Sequence, residues 1–567
     1  MASSIFAALR VAAVAFAAAS AFAQLPDSSA ARLNSDGPAA VRAWLDASGS
    51  PQPLCATAGG RAIWAAVQAF YAARGDQPVW TSGTTLTPAG RRLVDALGHI
   101  PDEGLDPARY QPILLAGGAL RMLQAASGSE GGDAAAAREV GLTAALALYA
   151  SDLANGRVDA SRVTVLWRLR PRSFDVLPVL QHAAESGPEA ALAAVRPVHP
   201  QYAALREALR RYAGLAAAET DVPVLPAGLK LRPGARGMGV RALRARLAFW
   251  GDLDAKAAAG DVFDPATVAA LKRFQVRHGL GASGVVGPEE VAALDCSARD
   301  RIRRIALNLE RWRWQERTPA ARSLLVNIPA FELHAYDGGR ESLAMRVITG
   351  KPDSPTPVFV QDMTSVVFSP YWNVPANIAL DETMPAVRRD RGTLRRLNLE
   401  VLRGDRVVDP AQVDWARGTR DLSFRQRPGA GNSLGLVKFE LPNPFNVYLH
   451  DTPNDALFLR PRRTFSHGCV RLQKPEALAR WVLDGLSGWS PARITAAMHA
   501  GRESTVSLPE PIPVSIGYFT VWVDADGTVR FLPDVYRHDA GQAPLLDGPD
   551  PASPAPGSAI ATVASTR

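Results

Sequence analysis

The chain has 567 residues, of which 47% are hydrophobic, and this length and composition predict about two to four globular domains instead of a single core. Its 63 Lys and Arg residues exceed its 55 Asp and Glu residues, so the formal net charge is +8. Because no stretch concentrates the basic residues in a block, this mild excess predicts affinity for anionic surfaces and argues against nucleic-acid binding.

The N-terminus has the pattern of a secretory signal. Arg10 precedes an apolar run from Val11 to Phe22, and Ala21 and Ala23 are small residues at the positions that a signal peptidase reads. The run is short for a helix that spans a membrane. We therefore predict that residues 1–23 are a cleaved signal peptide and that the chain is exported.

Residues 30–220 are rich in Ala and Leu and have helical periodicity. Ile63, Val67, Phe70 and Tyr71 form one apolar stripe of such a helix. No chemistry is visible in this stretch, which predicts a helical domain.

Residues 229–296 have the pattern of a compact module of three short helices. Val240, Leu243 and Leu247 form a helical stripe. Asp264 followed by Pro265 is a typical N-cap and first helical residue, and Gly287 and Pro288 open the third helix.

Residues 301–500 are dense in strand patterns after an initial amphipathic helix. Strands are predicted at 323–328, 331–336, 343–350 and 364–368, with Tyr371 and Trp372 immediately after the last of them. This density predicts a β-rich domain.

An insertion at 376–439 interrupts this domain. It reads as helical and arginine-rich and then as glycine-rich, and its position before the next strand makes it a candidate lid over a site. The alternative is a solvated excursion without a role in binding. A hairpin is predicted at 510–535 and a disordered tail at 540–567.

The residues that suggest chemistry are clustered at Ser466-His467-Gly468-Cys469-Val470-Arg471, with His450 nineteen residues before Cys469. His450 ends a predicted strand at 445–449, and a second strand starts at Val470, so the connection can bring the imidazole to the thiol. A thiol needs a base or a cation to act as a nucleophile, and both are present. A buried inert thiol and a zinc site are the alternatives, although the paired ligand spacings of structural zinc sites are absent.

This run and its spacing from His450 resemble the signature of L,D-transpeptidases, cysteine enzymes that cross-link peptidoglycan. The resemblance implies that Cys469 is the nucleophile and His450 the general base. It places His467, Gly468 and Arg471 beside the nucleophile, and the N–H groups of Gly468 and Cys469 become candidate oxyanion donors. The candidate substrate-binding residues are Arg471, Ser466, Tyr371 and Trp372.

The resemblance extends to the large periplasmic members of this family, and it implies a multidomain α+β protein. Its parts are a helical scaffold domain, a three-helix peptidoglycan-binding-like module and a β-rich catalytic domain with an inserted lid. The module match depends on Phe274-Gln275 and on the turn Gly284 to Pro288. Ser283 stands where that family usually has an acidic residue, so glycan binding stays open.

The function implied is the formation of diaminopimelate–diaminopimelate cross-links in the periplasm through a thioester, in cell-wall biogenesis and the maintenance of cell shape. The implied partners are peptidoglycan peptide stems, with peripheral association with the envelope, no cofactor and no metal, and the implied inhibitors are carbapenems. Three alternatives stay open: an L,D-carboxypeptidase, an enzyme that anchors or releases envelope proteins, and a non-catalytic cell-wall-binding scaffold. The sequence fixes neither the acceptor nor the oligomeric state.

The other two cysteines have two interpretations. If Cys469 is catalytic, Cys55 and Cys296 are left to form a disulfide in an oxidising compartment. They are otherwise separate thiols, and the sequence does not decide between the two.

Overall fold

A computed structural model describes residues 37–48, 54–83, 85–111, 113, 132–169, 172–317, 320–415 and 421–548. The predicted signal peptide at 1–23 lies outside these residues, as does most of the predicted tail. Residues 540–547, which were assigned to that tail, instead belong to the helix His538–Asp547, where the Gln542 side chain is buried. No helix within the described ranges is long and apolar enough to cross a membrane. The chain divides into two compact units.

The first unit is helical and contains residues 37–157 and 172–197 within its described ranges. A hairpin of Thr81–Ser82 with Thr85–Leu86 is its only β pairing among the described residues. Its core is formed by the predicted apolar stripe and by the longest helix. The helices are Pro38–Ser48, Ala58–Ala73, Pro88–Gly98, Gly132–Asn155, Leu177–Ser186 and Pro188–Val195.

A buried carboxylate fastens the first unit together. Glu139 accepts hydrogen bonds from the Tyr71 hydroxyl at 2.9 Å and from the backbone N–H groups of Val79, Trp80 and Thr81 at 2.7, 2.9 and 2.8 Å. Burial raises its pKa, against the opposing effect of these donors. Three consecutive N–H groups of a non-helical segment are thereby satisfied inside the core.

Replacing Glu139 by Gln is expected to destabilise the first unit by about 3 kcal/mol, because an amide N–H₂ would then face N–H groups that need an acceptor. Urea unfolding followed by tryptophan fluorescence measures the loss. Glu185→Gln, at an exposed position of the same unit, is the matched control and should change stability by less than about 0.5 kcal/mol. Equal midpoints for the two variants would contradict this role of Glu139.

The helix Pro200–Ala218 lies in the second compact unit, although the predicted scaffold domain at 30–220 includes it. Its apolar face packs on the helix Ala298–Arg313, and Tyr212 contacts Trp250 and Phe531. The helical period was right, but the partner of an amphipathic helix is not encoded in its period.

The region of the predicted module contains the helices Met238–Phe249, Pro265–Arg277 and Pro288–Asp295. The hairpin predicted at 510–535 is shorter in the structure. Residues Val521–Val523 pair with Val529–Phe531, and this short hairpin joins the same hydrophobic core as the three helices. Residues 510–517 instead belong to the strand Ser504–Gly517 of the large sheet, because that strand is long enough to pair on both of its edges.

A large sheet forms the centre of the second unit. Its spatial order is Val437–Glu440, Leu449–His450, Val470–Leu472, Arg340–Gly350, Glu332–Asp337, Arg322–Asn327, Ser504–Gly517, Val358–Phe368 and Trp167–Arg168. The strand Val437–Glu440 also pairs with Val358–Phe368, so the sheet closes on itself. Thr464–Ser466 pairs with the end of Arg340–Gly350. The helices Pro475–Val482 and Pro491–Met498 lie in the chain between the strands Val470–Leu472 and Ser504–Gly517 of this sheet.

The inserted segment has its own small core and its own sheet. The sheet has the order Arg406–Val408, Leu399–Arg403, Leu422–Gln426 and Trp372–Asn373, and the helices of the segment are Ala376–Ile378, Met384–Arg389 and Gly392–Arg396. A single π-helical turn, Ala379–Thr383, joins the first two helices. The apolar residues of these elements pack on each other, among them Val387, Val401 and Phe424.

Two expectations for this segment were wrong. The strands were missed, and the predicted end at 439 lies too far along the chain, because Val437–Glu440 is already a strand of the closed sheet. The π-helical turn is notable because such turns are frequent at functional sites.

Candidate active site

The two parts of the cysteine motif are adjacent strands of the closed sheet. Leu449–His450 pairs in parallel with Val470–Leu472, and Leu449 lies opposite Val470 and His450 opposite Arg471. The N–H of Val470 donates to the carbonyl of Tyr448 at 3.1 Å, which places Cys469 beside Tyr448. The loop between them therefore does bring the histidine strand to the cysteine, as predicted.

The predicted strand at 445–449 is mostly irregular chain. The side-chain amide oxygen of Asn443 accepts from the N–H groups of Phe445 and Val447 at 3.0 and 3.2 Å, and Asn446 has a φ of +54°. This turn directs the Asn446 carbonyl at the active-site thiol, which donates to it at 3.6 Å. Only Leu449–His450 is a strand.

The imidazole of His450 is buried and held in one tautomer. Its Nδ1 lies 2.6 Å from the backbone carbonyl of Asp451. A carbonyl only accepts, so Nδ1 carries the hydrogen and the neutral ring keeps its lone pair on Nε2. The two neighbouring strands each place a cation opposite His450, Lys438 on one side and Arg471 on the other.

These surroundings keep the His450 ring uncharged. Burial, with a further contribution from Arg471 and Lys438, lowers the pKa of His450 to about 3. The ring is therefore a neutral base across the physiological range of pH.

The Cys469 thiol is half-buried and surrounded by donors. Burial raises its pKa, and the opposing contributions come from the N–H and hydroxyl of Tyr448 and from the charges of Lys438 and Arg471. The Lys438 ammonium lies 4.1 Å from the centre of the Tyr448 ring. The resting pair is thus a neutral thiol beside a neutral imidazole.

The N–H of Gly468 already has a hydrogen-bond partner, so it is not free to donate to an oxyanion as the resemblance implied. It donates to the hydroxyl of Ser466 at 3.2 Å, and that hydroxyl donates to the Cys469 carbonyl at 2.5 Å. The hydroxyl of Thr356 donates a hydrogen bond to the Gly468 carbonyl at 2.7 Å. Gly468 has a φ of +119°, a backbone conformation that favours glycine, so the backbone geometry accounts for a glycine at this position.

The remaining candidate oxyanion donor is the N–H of Cys469 itself, which has no hydrogen-bond partner in the part of the chain that the structure describes. Ser466 is accordingly a loop-shaping residue in this geometry.

Arg471 lies opposite His450 on the neighbouring strand, so both side chains are on the same face of the sheet. The carboxylates of Asp451 and Glu476 have other partners: Asp451 accepts a hydrogen bond from the N–H of Leu436 at 2.7 Å, and Glu476 pairs with Arg480 at 2.8 Å. Among the described residues Arg471 forms no ion pair, and its Nε has no hydrogen-bond partner. Burial lowers its pKa, against the influence of Cys469.

The imidazole of His467 points to the inserted segment. Its Nε2 lies 2.9 Å from Oε1 of Glu382, which belongs to the π-helical turn. No contact between His467 and the Cys469 thiol is present within the described ranges.

Of the two aromatic candidates, only Trp372 contacts a neighbour of the thiol, namely Tyr448. A hydrogen bond from Trp372 acts to lower the pKa of Tyr448, which burial and the neighbouring thiol raise. The ring of Tyr371 is covered by the Arg425 guanidinium at 4.4 Å, and it makes no contact with Cys469 among the described residues.

Sequence reasoning missed Tyr448, Lys438, Glu382 and Thr356. Tyr448 was detectable, since residues two apart on an extended chain share a face and His450 was already singled out. Lys438 was also visible as a charge inside an alternating strand, but that strand had been assigned to the insertion. The sequence around Glu382 and Thr356 contains no motif or periodicity that would single out these residues.

The three cysteines are all free thiols, so the disulfide between Cys55 and Cys296 that the sequence left open is not formed. Burial raises the pKa of both of these thiols. Within the described ranges no group of three or more His, Cys, Asp or Glu side chains is arranged to hold a metal ion.

Comparison with known families assigns three segments of the chain. Residues 65–209 match "Scaffold domain", residues 236–294 match "Putative peptidoglycan binding domain" and residues 321–494 match "L,D-transpeptidase catalytic domain". The last match contains both His450 and Cys469.

Individual proteins give the following similarities. The chain is 35% identical over 218 residues to a curated protein of Haemophilus influenzae named "Putative L,D-transpeptidase". The aligned region covers 38% of this chain and 44% of that relative. A crystal structure of an L,D-transpeptidase from Xylanimonas cellulosilytica is 17% identical, with 51% and 98% of the two chains covered and a TM-score of 0.17. An L,D-transpeptidase from Mycobacterium smegmatis is 15% identical, with 35% and 59% covered and a TM-score of 0.17. The chain thus spans less than half the length of the curated relative.

Proposed function

We propose that this chain, which carries an L,D-transpeptidase catalytic domain, a peptidoglycan-binding domain and a scaffold domain, transfers acyl groups between peptidoglycan peptide stems through a thioester on Cys469. The observation that carries the proposal is the pairing of a half-buried thiol with an imidazole kept neutral on the adjacent strand. A neutral imidazole is the form that can remove the thiol proton.

In the first half-reaction His450 Nε2 takes the thiol proton, and the sulfur attacks the carbonyl between diaminopimelate and D-alanine of a donor tetrapeptide. The Cys469 N–H lies next to the developing oxyanion and is the proposed donor to it. The proton on His450 then moves to the nitrogen of the departing D-alanine. Lys438 and Arg471 oppose a lasting charge on His450, which favours return of the proton.

In the second half-reaction the amine of a neighbouring stem attacks the thioester and forms a diaminopimelate–diaminopimelate link. Arg471 is the proposed partner of a substrate carboxylate, because its guanidinium has an unmet donor and lacks a carboxylate partner among the described residues. Trp372 is the proposed wall of the substrate site. Water as the acceptor would make the same acyl-enzyme a carboxypeptidase, and a protein lysine would make it an anchoring enzyme.

We place this reaction in the periplasm, after cleavage of the signal at residues 1–23. The substrate is an insoluble polymer, and a groove of about 560 Å³ offers a surface for it in the second unit. It is lined by Leu280 and Gly281 of the peptidoglycan-binding segment, by Arg460 and by Phe465 of the strand Thr464–Ser466. This position supports binding of the polymer beside the cysteine.

Masses of the products formed from purified tetrapeptide muropeptides test the proposal. We expect a dimer that has lost one D-alanine, with the new bond between two diaminopimelate residues. A tripeptide monomer as the main product would show that water is the acceptor. The absence of both products would contradict acyl transfer by this chain.

A further inference from the structure

The contact between His467 and Glu382 assigns a tautomer to the second histidine of the motif. A carboxylate only accepts hydrogen bonds, so His467 Nε2 at 2.9 Å from Glu382 Oε1 carries the hydrogen. The neutral ring then has its lone pair on Nδ1. This is the opposite of His450, whose lone pair is on Nε2. The site therefore contains two imidazoles with differently placed basic nitrogens.

The two histidines also differ in access. His450 is buried, whereas the side chain of His467 is 28% exposed and that of Glu382 is 56% exposed. The second carboxylate oxygen of Glu382, Oε2, has no hydrogen-bond partner among the described residues. Because two Cα–Cα steps span at most about 7.6 Å, His467 cannot be far from Cys469. The Glu382 carboxylate thus hydrogen-bonds a partly exposed base that lies two residues from the nucleophile.

The second half-reaction needs such a pair. An acceptor amine arrives as an ammonium ion, and Arg471, which forms no ion pair among the described residues, repels it from the surroundings of His450. A bound ammonium must also lose a proton before its nitrogen can attack. The buried His450 serves the thiol, and no other carboxylate contacts the cysteine motif side chains within the described ranges.

We infer that Glu382 and His467 form the acceptor-amine site, in which the Glu382 carboxylate binds the ammonium of the incoming stem and His467 Nδ1 takes its N–H proton during attack. This inference rests on the proposed acyl transfer. It gives the inserted segment a specific role, since its π-helical turn supplies the carboxylate.

The step balances as follows. The bound ammonium releases one proton to solvent and becomes an amine, whose lone pair attacks the thioester carbonyl. The C–N bond forms, the C–S bond breaks, and the nitrogen gives a second proton to His467 Nδ1. The imidazolium formed on His467 releases that proton to solvent, and the leaving thiolate takes one proton from solvent. The amide, the thiol and a neutral imidazole remain, with one net proton released from the original ammonium.

The test separates the two half-reactions in the full-length protein. Single-turnover mass spectrometry measures how fast the tetrapeptide donor acylates Cys469, and product analysis at increasing acceptor stem measures how the acyl-enzyme divides between amine and water. We expect Glu382→Gln to lower kcat/KM for the acceptor stem about 10-fold to 100-fold, the effect of losing a hydrogen bond to a charged group. Acylation should change less than about twofold, so hydrolysis takes a larger share.

Two controls sharpen the result. Asp381→Asn removes a charge from the neighbouring exposed residue of the same turn and should leave both half-reactions unchanged. Hydroxylamine is a nucleophile that is uncharged at neutral pH, so its reaction with the acyl-enzyme should be insensitive to Glu382→Gln. His467→Ala should slow aminolysis by both nucleophiles.

The outcomes are distinct. Equal loss of acylation and aminolysis in Glu382→Gln would make the contact a structural latch and overturn the inference, as would an unchanged division between amine and water. Equal loss with hydroxylamine and with the stem would overturn the binding of the ammonium. Failure of the wild-type chain to form any acyl-enzyme from the donor would instead overturn the proposed function.

Discussion

Cross-linking is expected to fall by about 10⁴-fold or more, to the background of the assay, when Cys469 is replaced by Ala. The proposed mechanism makes this thiol the nucleophile, and without it no thioester can store the acyl group between the two half-reactions. Product masses from tetrapeptide muropeptides measure the loss. Intact-protein mass spectrometry with a carbapenem gives a second measurement, because the strained lactam carbonyl should acylate the same sulfur.

Cys296→Ala is the matched control for this prediction. Cys296 is also a half-buried free thiol with a pKa raised by burial, but it lies outside the paired strands that carry the motif. The Cys296→Ala protein should keep both cross-linking and the carbapenem adduct. A carbapenem adduct of equal yield on the Cys469→Ala protein would contradict the assignment of the nucleophile.

Local signals were sufficient for the centre of this site. Cys469 and His450 are uncommon residue types at the ends of short apolar runs, and the pairing of those runs followed from their spacing. The opposite is true of the contact between His467 and Glu382, whose residues are 85 positions apart. Such a contact is set by the packing of the inserted segment, which no periodicity records.

The errors have physical causes that can be named. The strands Leu399–Arg403 and Leu422–Gln426 are short and include the charged residues Glu400, Arg403 and Arg425, so the segment was interpreted as a charged stretch without strands. Only their packing with Val387 and Trp415 makes them a core. The Gly468 N–H was expected to be free for an oxyanion, but a serine hydroxyl two residues away competes for it, as Ser side chains often do for local backbone groups.

Replacement of His450 by Gln is expected to lower the rate of Cys469 acylation by about 10² to 10⁴-fold at neutral pH, the usual contribution of a general base. The pH dependence identifies the cause. With its pKa lowered to about 3, His450 stays neutral throughout the working range, so the wild-type rate should show no acid limb near the ordinary histidine value. In His450→Gln only preformed thiolate can attack, and its fraction rises about tenfold per pH unit below the raised thiol pKa.

Second-order rate constants for carbapenem acylation, measured from about pH 5 to about pH 8, should therefore be nearly flat for the wild type and steep for His450→Gln. His467→Gln is the comparison that the structure offers, because His467 faces Glu382 instead of the thiol. Its profile should keep the wild-type shape. Parallel profiles for the wild type and His450→Gln, or a far greater loss in His467→Gln than in His450→Gln, would show that the base of the first half-reaction had been assigned to the wrong histidine. The flat wild-type profile follows chiefly from the burial of His450, with a further contribution from Arg471 and Lys438 on the two neighbouring strands, because together they keep its ring neutral.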